Sequence, residues 1–131
     1  MQSNHDSGLL VDEYRKSWVL RYLREARADL EVAEETPYVE PDPLVEALKK
    51  TQLALQYLLG EPLIINRIVQ VAALSEEEIK DPALQLLVEV KEALNRALNV
   101  EEKARESMIE YAEGILNLVS EVAALFLKRE S

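Results

Sequence analysis

Apolar residues recur every three or four positions along most of this chain, a spacing that predicts helices rather than strands. Val19, Leu23, Ala26, Leu30 and Ala33 form one stripe of a first helix running from about Val11 to Glu35. The segment Thr36-Pro37-Tyr38-Val39-Glu40-Pro41 breaks the pattern, because two prolines exclude a continuing helix. Asp42-Pro43 then reads as a helix start. The carboxylate can accept a bond from a free backbone N–H, and proline at the first helical position has no N–H to leave unpaired. The second helix carries Leu44, Ala47, Leu48, Leu55 and Leu58 and ends near Gly60.

A third segment, Leu63 to Leu74, follows Pro62. Its β-branched residues also suit a strand, but helical geometry gathers Asn66, Arg67 and Gln70 on one side, and helix is the expectation. Ser75 with Glu78 has the capping-box spacing, and Asp81-Pro82 repeats the Asp-Pro start, which leaves Glu76–Lys80 as a single turn. A fourth helix is predicted from Pro82 to about Leu98, with Leu84, Leu87, Val88, Leu94 and Leu98 inward. Asn99-Val100-Glu101-Glu102 is a further capping pattern that opens a last helix at Val100 and carries it to about Lys128; one unbroken helix from Pro82 is the alternative. The latter half of that last helix is apolar on more than one face and needs cover on two sides. A second subunit is the expected cover, with Val119, Val122 and Phe126 at the interface of a homodimer and help from Leu63–Leu74.

The fold expectation is therefore all-α: an up-and-down bundle of four to five helices over residues 11–131, preceded by a flexible tail over residues 1–10. Composition agrees. Three glycines in 131 residues are too few for a turn-rich β domain, and the length suits one domain. No internal repeat or low-complexity stretch is present. The first residues lack a basic stretch followed by an apolar one, and no apolar run nears the ~20 residues of a membrane span. A cytoplasmic protein is expected. Glutamate makes up 20 of the 25 acidic residues and cysteine is absent, a composition in keeping with heat adaptation.

Charge and residue counts exclude several chemistries. The absence of cysteine removes disulfides, thiolate metal sites and a cysteine nucleophile. One histidine, His5, lies in the polar tail without an orienting partner, so no histidine metal site or positioned general base is available within one chain. Ser107 and Ser120 stand on a helix without a Gly-x-Ser-x-Gly turn, and the three glycines are too scattered for a phosphate loop. No residue is assigned a catalytic role and no cofactor is expected. A net charge of -10 argues against duplex nucleic acid, whose binding needs many phosphate-neutralising side chains.

That charge is unevenly spread. Residues 15–27 hold five positive charges and one negative, for +4, which leaves -14 for the rest. Arg21, Arg24 and Arg27 share a polar arc that can hold a phosphate or an acidic surface, or else pair with the chain's own glutamates, such as Glu31. Arg67, in an otherwise apolar helix, is either an anion ligand or one half of a buried or interfacial pair. Tyr14, Trp18 and Tyr22, three of the seven aromatic residues, recur at four-residue spacing and read as a partner surface or as the edge of the core.

The acidic residues raise a metal reading. Glu-x-x-Glu places two carboxylates on one helix face, where they can share Mg²⁺. Glu89/Glu92 and Glu110/Glu113 resemble the paired-helix pattern of all-α nucleoside-triphosphate pyrophosphohydrolases of the MazG type, although the second pair ends in Glu where that family has Asp. With 20 glutamates, about three such pairs arise by chance, and three occur, Glu31/Glu34 being the other. Solvated helix faces are the favoured reading, and the hydrolase is the alternative.

Ala26, Asp29, Leu30 and Ala33 spell Ala-x-x-Asp-Leu-x-x-Ala. This resembles the opening helix of HEPN domains, small all-α domains of bacteria and archaea, and the loop and the second amphipathic helix with Ala47 to Leu55 are similar to that family too. The resemblance implies a helical bundle, often a homodimer, in a family that includes companions of minimal nucleotidyltransferases and toxin ribonucleases. The ribonuclease members share an Arg-x(4–6)-His motif. This chain has no histidine after His5, so the resemblance implies a non-nuclease binding or assembly module with a protein or nucleotide-bearing partner. Asp29 is then a candidate groove-facing or buried contact, an ordinary exposed acid being the favoured reading. It has no basic residue one turn away and faces Glu25 instead, which points to a more distant partner.

Overall fold

The computed structural model describes residues 13–36, 39–60, 65, 67, 70–71 and 82–128. The tail over residues 1–10 with His5, the start of the first helix at Val11, Asp12, the Glu76–Lys80 turn and the Asp81 cap lie outside them. Among the described residues there are four helices and no strand. They are α1 (Glu13–Glu35), α2 (Pro43–Leu59), α3 (Pro82–Leu98) and α4 (Arg105–Lys128), with a short 3₁₀ turn (Glu102–Ala104) before α4. Residues 65, 67, 70 and 71 are helical as well, in line with the helix expected there.

Each boundary has a local cause. Thr36 closes α1, its backbone N–H and its hydroxyl both donating to the Val32 carbonyl, at 3.0 and 2.7 Å. Asp42 opens α2: its Oδ1 accepts from the Leu44 N–H at 3.0 Å and Pro43 takes the first helical position. Gly60 closes α2 with φ at +156°, a backbone conformation that side-chain-bearing residues rarely adopt, while its N–H reaches the Gln56 carbonyl at 3.0 Å. At Asn99 the expected cap of a following helix is not what forms. The Asn99 side chain donates backwards to the Asn95 carbonyl at 3.2 Å and finishes α3, and α4 starts at Arg105 rather than Val100. The stretch from Pro82 onward is thus two helices.

The core is one cluster fed by all four helices. Val19, Ala26, Leu30 and Ala33 of α1 are buried as their spacing predicts. From α2 come Leu44, Ala47, Leu48, Leu55 and Leu58, with Val45 and Ala54 added. α2 is the central member, packed against α1, α3 and α4. In α3 the buried face is Leu87, Val90, Ala93 and Ala97, whereas Leu98, expected inward, is 58% exposed. Of the other positions expected inward, Leu84, Val88 and Leu94 are half-buried against the same core, so Leu98 alone departs from the expectation. In α4, Ile115, Leu116, Val119 and Ala123 are buried. Val119 is therefore covered by its own chain and is not available to an interface. Val122 and Phe126 pack partly against the same core, and the exposed apolar residues of this helix are Leu118 and Leu125.

One polar contact ties this bundle together away from its helical neighbours. Arg105, the first residue of α4, donates from Nη1 and Nη2 to the two carboxylate oxygens of Asp42, at 2.9 and 2.8 Å. Both residues are 8% exposed. A fork-on-fork pair of this kind is among the stronger side-chain contacts and fixes the angle between its partners. It brings the starts of α2 and α4 together.

Candidate functional site

α1 and α2 run antiparallel, and their contacting faces carry the most developed polar and aromatic arrangement among the described residues. Tyr14, Trp18 and Tyr22 stand one turn apart on α1, and Tyr57 of α2 joins them. Trp18 stacks on Tyr22 with ring centroids 5.4 Å apart and on Tyr57 at 6.1 Å; Tyr22 and Tyr57 are 6.0 Å apart. Tyr14 meets the Trp18 edge at 6.4 Å and is 66% exposed, while the other three rings are half-buried. The result is a shelf with its base in the bundle and its outer edge in solvent. Aromatic pairs at these separations contribute about 0.5–1.5 kcal/mol beyond their buried area.

Charged side chains hold the shelf at both ends. Arg15 donates from Nε to the Tyr57 carbonyl at 2.8 Å and from Nη2 to the Leu58 carbonyl at 3.1 Å. These are carbonyls of the last turn of α2, which have no partner within the helix and sit at the negative end of its dipole. Further along α1, the Arg21 guanidinium lies 5.2 Å from the Trp18 ring centre and donates to Glu25 at 2.9 Å. Glu25 in turn faces Lys50 of α2 at 3.6 Å, and Lys50 donates to Asp29 at 2.8 Å. The distant partner that Asp29 calls for is therefore Lys50.

The ionisation of this chain of charges follows its bonds. The hydrogen bond from Arg21, with help from the Lys50 charge, holds Glu25 below its ordinary 4.5. The hydrogen bond to Asp29, with the charges of Asp29 and Glu25, raises Lys50 above its ordinary 10.5. A raised lysine stabilises the fold fully below its unfolded value and loses that contribution as pH climbs through the folded value. A lowered glutamate does the reverse, contributing above its unfolded value and losing it as pH falls. Urea unfolding of the wild type and of Lys50→Met should thus differ by a constant amount near neutral pH. The gap should narrow above pH 10.5 and again below pH 4.5. A gap that stayed the same at both extremes would show that it does not arise from these charges.

The other predicted residues are dispersed. Arg21, Arg24 and Arg27 do not form one anion cradle: Arg21 is held by Glu25, Arg27 donates to Asn117 of α4 at 3.0 Å, and Arg24 is exposed beside a shallow depression between α1 and α4. Arg67 is exposed, so its helix does not bury it against a partner group within the chain. Glu89 accepts a bond from the Tyr111 hydroxyl at 3.0 Å; burial, and then this bond, raise the Tyr111 pKa above its ordinary 10.0. Glu92, Glu110 and Glu113 are exposed. Among the described residues no three acidic side chains come close enough to hold a metal ion, so the four carboxylates do not build the paired-helix Mg²⁺ site. Helical spacing set each pair on a face, but the faces of α3 and α4 that carry them do not converge.

Sequence reasoning missed Tyr57, Lys50 and the Asp42–Arg105 pair. Lys50 alone left a trace, in the missing partner of Asp29. Tyr57 is an isolated aromatic on α2 and joins the shelf only through the register of two antiparallel helices. No family model matches the chain, and neither a curated protein nor a solved structure matches it. Among the described residues no helix is long and apolar enough to cross a membrane.

Proposed function

We propose that this protein is a non-catalytic helical binding module that engages a protein partner through the aromatic shelf on α1 and α2. The observation that carries the reading is the stack of Tyr14, Trp18, Tyr22 and Tyr57, with Arg21 over Trp18, held open to solvent at the surface of a closed core. Tyrosine, tryptophan and arginine are the residues that concentrate binding energy at interfaces. Here they are locked by neighbours, so little side-chain freedom remains to be lost on association.

The HEPN-like resemblance makes the partner more specific: a minimal nucleotidyltransferase, with this chain as its non-nuclease companion. Ala26, Leu30 and Ala33 of the quoted motif form the inner face of α1, and Asp29 reaches Lys50, an arrangement in keeping with that reading. A cysteine-free, glutamate-rich composition supports a cytoplasmic protein of a heat-adapted organism.

Trp18 is the only tryptophan and reports on its own surface. Titrating a minimal nucleotidyltransferase should shift Trp18 fluorescence saturably. Tyr14→Ala, the exposed edge of the shelf, should weaken the affinity about tenfold. Absence of co-migration and of any spectral change with that enzyme would remove the reading.

A further inference from the structure

The depression between α1 and α4 is lined by Leu23, Arg24, Arg27, Ala28 and Glu31 of α1 and by Ser120 of α4. Its volume of about 460 Å³ lies within the ~300–1,000 Å³ range of small-molecule sites. The chain has 25 acidic residues, yet among the described residues neither arginine forms an ion pair. Arg24 makes no hydrogen bond there either, and Arg27 bonds only to the neutral Asn117, at 3.0 Å. Glu31 follows one turn after Arg27 and is bonded to neither. Guanidinium groups three positions apart on a helix repel one another, and no bonded carboxylate offsets that repulsion here.

We propose that Arg24 and Arg27 hold a phosphoryl group in this depression. Charge and donor count select phosphate over a carboxylate. The two guanidinium groups match the charge of a phosphomonoester near neutral pH, about -1.5 to -2, better than that of one carboxylate. The Ser120 hydroxyl lines the same depression, and the Asn117 amide nitrogen remains a donor once its oxygen has accepted from Arg27. A phosphoryl group offers three oxygens to these donors and a carboxylate only two. Leu23 and Ala28 give the depression an apolar wall, on which the organic remainder of a phosphorylated molecule can lie. The net charge of -10 does not prevent this, because charges beyond ~8 Å are largely screened at physiological salt. It does exclude a nucleic-acid strand from the proposal, since successive phosphates need a row of cations and not one pair. Arg21 takes no part, being held by Glu25. The site stands apart from the aromatic shelf between α1 and α2 and does not depend on the protein partner proposed there.

Calorimetric titration of the full chain with phenyl phosphate, inorganic phosphate and benzoate separates the candidate anions. Phenyl phosphate should bind and should shift the amide resonances of residues 23–31 and 117–120, and benzoate should bind more weakly. Tighter binding of the ester than of inorganic phosphate would identify an organic phosphate as the ligand. Equal binding of the two would identify free phosphate at the same arginines. Arg24→Gln/Arg27→Gln should weaken the binding at least about tenfold with an unchanged helical spectrum. Arg21→Gln, on the same helix, should leave it unchanged. The proposal would be overturned by the absence of binding of either phosphate at about 10 mM, or by equal affinity for benzoate. Indifference to the loss of both arginines would overturn it too, as would equal weakening by Arg21→Gln, the mark of diffuse charge attraction.

Discussion

Replacing Arg105 with methionine is expected to lower stability by about 3–5 kcal/mol, because it strands a buried carboxylate. Asp42 is 8% exposed and both of its oxygens receive the guanidinium, so the loss leaves a charge that water cannot readily reach. The same carboxylate caps α2 through the Leu44 N–H, which prevents it from turning away. The companion Asp42→Asn/Arg105→Met should recover most of the loss, since asparagine keeps a cap acceptor and removes the charge. Denaturant unfolding of these two variants and of Asp42→Asn alone closes a double-mutant cycle. An Arg105→Met protein within about 0.5 kcal/mol of the wild type would show that the pair is a passive contact.

Leu55→Ala should cost about 2–5 kcal/mol by leaving a cavity at the centre of the bundle. Leu55 is fully buried on α2, which packs against each of the other three helices. The informative comparison is Leu125→Ala. It is the same chemical change at a residue 66% exposed, and in a monomer it should fall within about 0.5 kcal/mol of the wild type. Equal losses at the two positions, measured by thermal and urea unfolding, would contradict the core assignment.

What could be read in advance follows from where the information resides. The Asp42-Pro43 start, the break around Pro41 and the stripe from Val19 to Ala33 are properties of residues within a few positions of one another, and they appear in the structure as predicted. The contacts that distinguish this bundle from others join residues far apart. Tyr57 reaches Trp18, Lys50 reaches Asp29 and Arg105 reaches Asp42 only once the register between helices is set by packing. Asn99 shows the limit of local rules. Its side chain serves the helix behind it, and the backbone is extended at Glu101 before the next helix begins at Arg105. Tyr14, Trp18 and Tyr22 were visible as a stripe, yet their stacking with Tyr57 was not, since helical spacing says nothing about what lies across the groove.

The Asp42–Arg105 pair also bears on the order of events in folding. It spans 63 positions, whereas α1 and α2 meet across a short connection. Closing the longer loop costs more chain entropy, and contacts that depend on it form after those of the local hairpin. A contact made late is absent from the transition state, so its removal acts on the rate of unfolding and leaves the rate of folding almost untouched. The clamp at the ends of α2 and α4 is then less a guide to the native state than a lock on it. Arg105→Met is accordingly expected to speed unfolding, followed after a denaturant jump, with little change in the folding rate.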